Sequence, residues 1–326
     1  MRFILILILC VFASNQAAVA QPNKAQQPFP SIENDAAWNF LPRENPPLPP
    51  WARALIGPLP KTTAKMLELD YLHRAKNPLG SELAGLIQWM VADTLGSKFG
   101  KATAEADLLR AGVPAKYLAN IGNNPGLAPE VRVAATFARK LTAEGYAITD
   151  EEFAALLKLF GPEKVTAIVH TVAYSNFHNR IVLGIGADGE PVPPLDVKFD
   201  PEKLAKVTTP ARPSWDDLKA VPDDGLSIRV EWGKTSHDEL NLTLEKQKER
   251  KLRIPLPDPS RFANLPPKEK EGANKILWNT VSSGYQPEMP RAWFAALYTY
   301  YEEAKVDRVF TNSVFWVVTR TNECFY

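Results

Sequence analysis

The stretch 61–187 is low in proline and repeats its apolar residues at helical spacing, and nothing within it alternates with period two for long enough to form a buried strand. That periodicity leaves helices packed on helices as the available architecture. In 129–144, Val131, Ala134, Phe137, Ala138 and Leu141 share one face, with Pro129 in the first turn and Gly145 as the stop. The next helix opens on Thr149 and Glu152, a capping box in which hydroxyl and carboxylate each satisfy an orphan backbone N–H. It stops at Gly161, and Pro162 begins a longer helix with the ridge Val165, Val169, Ala173, Phe177 and Ile181. Upstream, Ser81 can cap a helix running to about Leu95, and another spans Lys98 to Arg110, closed by Gly112. The expected fold class is all-α, a bundle of about six or seven helices.

Proline divides the rest. Residues 1–20 read as an export signal: Arg2, then the apolar run 3–12, then Ala18-Val19-Ala20 as the small-x-small cleavage pattern. A lipidation site at Cys10 wants a small preceding side chain, and Leu9 stands there. The expected location is therefore periplasmic or extracellular, with no membrane association after the signal is removed. Residues 21–60 are expected to form an extended proline-rich arm and 188–270 a proline-rich linker with a strand-like piece at 226–232, whereas 271–326 become helical again. Basic and acidic residues nearly balance, 38 against 37, with no basic stripe, so nucleic acid is not an expected partner.

Removing residues 1–20 leaves a single cysteine, Cys324. A lone thiol in an exported protein is either reactive or missing its pair, and its bland alternative is a small, inert buried residue. His170, Tyr174 and His178, at i, i+4 and i+8, can line a pocket, though no further ligand at metal spacing accompanies them, and no metal or cofactor is expected. Glu105 and Asp107 suit a helix N-terminus, and Arg180 suits a late helical turn and a carboxylate partner.

The segment 316–326 aligns without gaps on 89–99: Trp, Val and Thr coincide, Phe99 meets Tyr326, and Cys324 falls opposite Ser97 at a constant offset of 227 residues. Here the chain resembles the carboxymuconolactone decarboxylase-like proteins, and within them the alkylhydroperoxidase AhpD-like branch. The carrying residues are Trp316-Val317-Val318 with Asn322, Cys324 and Tyr326, which look like the family's motif up to one residue before its second cysteine. The segments 102–114, 131–161 and 173–186, the last with Asn176, Asn179 and Arg180, look like the same family in a first copy.

The resemblance implies two tandem copies, 61–187 and 271–326, the second incomplete. In the first copy, Ser97 and Gly100 stand at the two cysteine positions and Ala104 at the histidine position, which implies a degenerate, noncatalytic domain with Glu105, His170, Tyr174, His178 and Arg180 as possible pocket residues. It further implies hydroperoxide reduction or thiol–disulfide chemistry at Cys324, with a hydroperoxide or other small molecule as substrate, a dithiol or protein electron donor, and association into homo-oligomers. With only one of the motif's three reactive groups, the chain by itself is not expected to turn over peroxide. Two alternatives stand beside this reading: a noncatalytic binding or oligomerisation module, and a lactone decarboxylase, which needs an acid–base residue rather than a thiol pair.

Overall fold

The computed structural model describes residues 30–42, 45–118, 121, 127–211, 236, 238, 239, 242, 252–273 and 277–321. The expected export segment, the strand-like piece expected at 226–232 and Cys324 lie outside them. Among the described residues every regular element is helical, so the fold is all-α.

The chain opens with α1 (Asn34–Trp38), α2 (Pro50–Leu55), α3 (Pro60–Ala75), α4 (Ser81–Thr94) and α5 (Lys98–Arg110). A short α6 (Ala115–Leu118) precedes α7 (Pro129–Glu144) and the long α8 (Asp150–Ile185). Local signals set these bounds. Pro129 occupies the first turn of α7, where its missing N–H costs nothing. Thr149 and Glu152 form the reciprocal capping box of α8, Thr149 N–H donating to Glu152 Oε2 at 2.8 Å. Gly161 breaks α8 internally with φ of 70°, a value that favours glycine, and Pro162 restarts the helix beyond the kink. Both parts pack on α4, α5 and α7 through Ile87, Val91, Leu108, Ala134, Leu156, Val165 and Ile168. Each such large aliphatic side chain contributes about 1.5–3 kcal/mol on burial.

The proline-rich flank differs from the extended arm expected of it. From residue 30 it carries α1 and α2, and Trp38, Leu48, Trp51 and Ile56 are buried in a second core with Leu67. Prolines start these segments rather than straighten them: Pro50 is the first residue of α2, and the Trp38 indole N–H donates to Pro46 O at 2.9 Å. The linker folds back on the same core. Val197 and Phe199 are buried there, as is Leu204 of α9 (Pro201–Ala205).

The last helices are α10 (Pro267–Ala273), α11 (Leu277–Tyr285), α12 (Glu288–Ala304) and α13 (Arg308–Thr321). Their bounds echo the first ones. Helices α4 and α13 begin and end 227 residues apart, α2 and α11 begin 227 apart, and α3 and α12 begin 228 apart. Trp51 and Trp278, also 227 apart, each lie against a histidine of α8: Trp51 edge-on to His178 at 5.3 Å, Trp278 tilted on His170 at 5.3 Å. Helix α12 packs along α3, and the Glu303 carboxylate near its end accepts from Lys61 N–H (3.0 Å), Thr62 N–H (2.7 Å) and the Thr209 hydroxyl (2.7 Å). An acid from the end of the chain thus satisfies the orphan donors at the start of α3. None of the helices is long and apolar enough to cross a membrane, among the described residues.

Candidate functional site

Polar side chains on three helices converge beneath the N-terminus of α5. Helix α3 supplies Asp70, His73 and Arg74, which at i, i+3 and i+4 share one face. Arg74 is the hub. Its Nε and Nη2 donate to the two oxygens of Asp107 at 2.7 and 3.0 Å, its Nη1 to Asp70 Oδ2 at 2.9 Å, and Nη2 also to Val192 O at 2.8 Å. Arg110 pairs with Asp107 from the surface side. A guanidinium fork held this way is planar and bidentate, with four of its five N–H donors engaged. The Tyr174 hydroxyl of α8 donates to Asp70 Oδ1 at 2.6 Å, and its ring stacks on His73 with centroids 4.2 Å apart.

Burial and charge set the protonation states. Burial alone raises the Asp70 carboxyl, but Arg74, His178 and the Tyr174 hydroxyl outweigh it and hold its pKa below the ordinary value. Burial, with Asp70 adding to it, pushes Tyr174 well above 10. The same burial lowers all three histidines: His73 to about 3, with His170 adding to the effect, and His170 and His178 each to about 4. They are neutral at pH 7, so the cluster balances Arg74 and Arg110 against Asp70 and Asp107.

Ser97 is buried and caps α5, its hydroxyl accepting from Gly100 N–H at 3.2 Å. Gly100 leaves room for Asn179: a Cβ there would stand 1.8 Å from Asn179 Oδ1, so any other residue would have to displace that side chain. Gly100, Thr103, Tyr174, Ser175, His178 and Asn179 border a void of about 20 Å³. That holds one water-sized molecule and no larger substrate. Ala104 is buried in the neighbouring apolar core.

The residues expected from the sequence therefore divide. Ser97, Gly100, Tyr174 and His178 come together. His170 lies one turn before Tyr174 on α8 and outside the void, its Nε2 at 2.5 Å from the Ser282 hydroxyl of α11. Glu105 sits apart, accepting from the Trp89 indole at 2.9 Å. Arg180 has no carboxylate partner among the described residues, contrary to expectation; it is half-buried, and burial lowers its pKa. Asp107 lies in the last turn of α5 rather than its first, and is a buried partner of Arg74. Sequence reasoning missed Asp70, His73 and Arg74. The available signal was the stripe Thr63, Leu67, Asp70 and Arg74, in which charges occupy an otherwise inward helical face.

A second concavity is quite different. A cavity of about 580 Å³ opens between α3, α8, α12 and α13, walled by Met66, Phe177, Ile181, Trp293, Phe310 and Val314 among others. Its size falls within the ~300–1,000 Å³ of small-molecule sites, but among the described residues its wall carries no carboxylate, imidazole, amine or thiol, and its polar side chains are those of Thr62, Thr311, Tyr300 and Tyr301, besides the Trp293 indole. No group of three or more His, Cys, Asp or Glu side chains is placed to hold a metal ion among the described residues.

Comparison of the chain with protein-family models, with curated proteins and with solved structures finds no match.

Proposed function

We propose that the chain is an exported, tandem AhpD-like protein of the carboxymuconolactone decarboxylase-like kind. Its first copy, residues 61–187, is a thiol-free scaffold, and its thiol chemistry belongs to Cys324 of the second copy. The observation that supports this most is the shared register: α4 and α13 begin and end 227 residues apart, and the same step carries Ser97 onto Cys324. Ser97 caps a helix with its oxygen facing the Gly100 N–H. A thiolate at a helix start meets the positive end of that helix, which lowers a thiol pKa from about 8.5.

In the reaction, the Cys324 thiolate attacks the terminal oxygen of a hydroperoxide. The O–O bond breaks, an alkoxide leaves and takes a proton, and the sulfur becomes a sulfenic acid. Return to thiol needs two more thiols: the first forms a mixed disulfide with loss of water, and the second displaces it. Cys324 is the only cysteine within residues 21–326, so these residues by themselves supply neither of the two thiols.

The test is the alkylation rate of Cys324 against pH, with a sulfenic-acid trap after exposure to cumene hydroperoxide. A titration midpoint at least one unit below 8.5 and a trapped adduct are expected. A midpoint at 8.5 or above, with no adduct, overturns the reading. The 580 Å³ cavity supports a second reading, a noncatalytic binding module. Lactone decarboxylation draws no support from the polar cluster, in which His178 is the one histidine bordering the void, and that void is only about 20 Å³.

A further inference from the structure

The void of about 20 Å³ lies where α3, α4, α5 and α8 meet, and two kinds of polar group border it. Asp70, Arg74 and Tyr174 are bonded to one another. Thr103 Oγ1, Ser175 Oγ, His178 Nε2 and Asn179 Oδ1 have no hydrogen-bond partner among the described residues. Those four residues are only 8%, 2%, 9% and 4% exposed, so bulk solvent does not satisfy them. A buried polar group without a partner is costly, and native proteins leave few of them. Four such groups around one small space call for a common partner.

We propose that the void is a binding site for one water molecule, held between α5 and α8 by Thr103, Ser175, His178 and Asn179. Its size suits that occupant: a water needs about 10–15 Å³ by this measure and two to four polar partners, so about 20 Å³ takes one and not two. The partners decide its chemistry. Asn179 Oδ1 can only accept, because the amide nitrogen beside it donates to Ser175 O at 2.8 Å. The two hydroxyls turn to donate or accept, and His178 Nε2 does either according to its tautomer. A molecule that both donates and accepts meets all four, whereas a cation finds three neutral oxygens where hard metal ions take about six or more. Charge agrees. Arg74 and Arg110 balance Asp70 and Asp107, and burial keeps His178 neutral by lowering its pKa to about 4, so a charged occupant would stand uncompensated. The site lies within residues 70–179 and does not rest on the Cys324 reading.

Thr103→Val gives results of opposite sign for a filled and a dry void. Valine keeps the shape of threonine and lacks its hydroxyl. With a water bound, the variant removes one of its partners, and the unfolding equilibrium constant should rise roughly two- to tenfold, the span of one net hydrogen bond. In a dry void the same change deletes an unpaired buried hydroxyl, and the constant falls instead. Chemical denaturation of the full chain and of the variant at pH 7 reads the sign. A crystal structure of the full chain at high resolution reads the occupant directly: one peak about 2.5–3.2 Å from at least three of the four atoms is expected. An unchanged or lowered unfolding constant overturns the proposal, as does a site without a peak. A peak at the shorter ~2.0–2.4 Å of metal–oxygen bonds, with stability that rises on adding that metal ion, also overturns it and makes the void a cation site.

Discussion

The two sides of α8 teach opposite things about what makes a site. One side carries Tyr174, His178 and Asn179 into a cluster dense in charge and hydrogen bonds, closed around about 20 Å³. The other carries Phe177, Ile181 and Ile185 to the edge of about 580 Å³ of apolar space. Where the chemistry lies there is no room, and where there is room the wall is mostly hydrocarbon. Convergent polar residues with displaced pKa values are a common mark of catalysis. Here Asp70, Arg74, Asp107 and Tyr174 satisfy one another and tie α3, α5 and α8 together, while Thr103 Oγ1, Ser175 Oγ, His178 Nε2 and Asn179 Oδ1 are buried around the void without a hydrogen-bond partner among the described residues.

Four experiments break or sharpen that contrast. The largest effect is expected from Arg74→Ala, which leaves the buried Asp70 and Asp107 carboxylates without their shared cation. Uncompensated buried charge typically costs about 3–5 kcal/mol, to be read as a lowered urea midpoint. A change under about 1 kcal/mol would mean the cluster is not structural.

Acidification comes next. His73, His170 and His178 bind protons near pH 6.5 when unfolded but only near 3, 4 and 4 when folded. Between those limits the unfolded chain holds more protons, so the stability these histidines contribute is present above pH 6.5 and is lost as pH falls toward 4. Chemical denaturation at a series of pH values should show that slope. A flat profile would mean the rings are hydrated.

Gly100→Ala should follow, at about 1–3 kcal/mol, because its methyl group drives Asn179 from its position and overpacking costs of that order. Thermal unfolding reads it directly. The smallest effect belongs to the other side of α8. Gly184→Leu should shift stability by no more than about 0.5 kcal/mol beyond the helix-propensity gain, since its side chain enters open space. A large loss there would show the cavity to be tighter than its walls indicate.

What the sequence disclosed was what neighbours along the chain decide. The bounds Pro129–Glu144 and Lys98–Arg110, the Thr149–Glu152 box and the break at Gly161 follow from residues within a few positions of one another. The helices in the proline-rich flank were not legible, because Trp38 and Trp51 are held by Leu67, Val197 and Phe199, distant in the chain. Asp70, His73 and Arg74 were hidden for the same reason. A charged residue on an inward face announces a partner without saying which, and Asp107 lies 33 residues away. The Trp51–Trp278 equivalence needed helix bounds to fix its frame, whereas the Ser97–Cys324 step came from the aligned segments alone.

The Glu303 clasp sets a schedule for synthesis. The N–H groups of Lys61 and Thr62 wait for a carboxylate that lies 242 and 241 residues farther along. At a ribosomal pace of ~5–20 residues per second, that acid arrives roughly ten to fifty seconds after the donors it serves. Through that interval the start of α3 is left to water, and whichever chaperone attends the nascent chain meets this helix before its other end of the contact has been made.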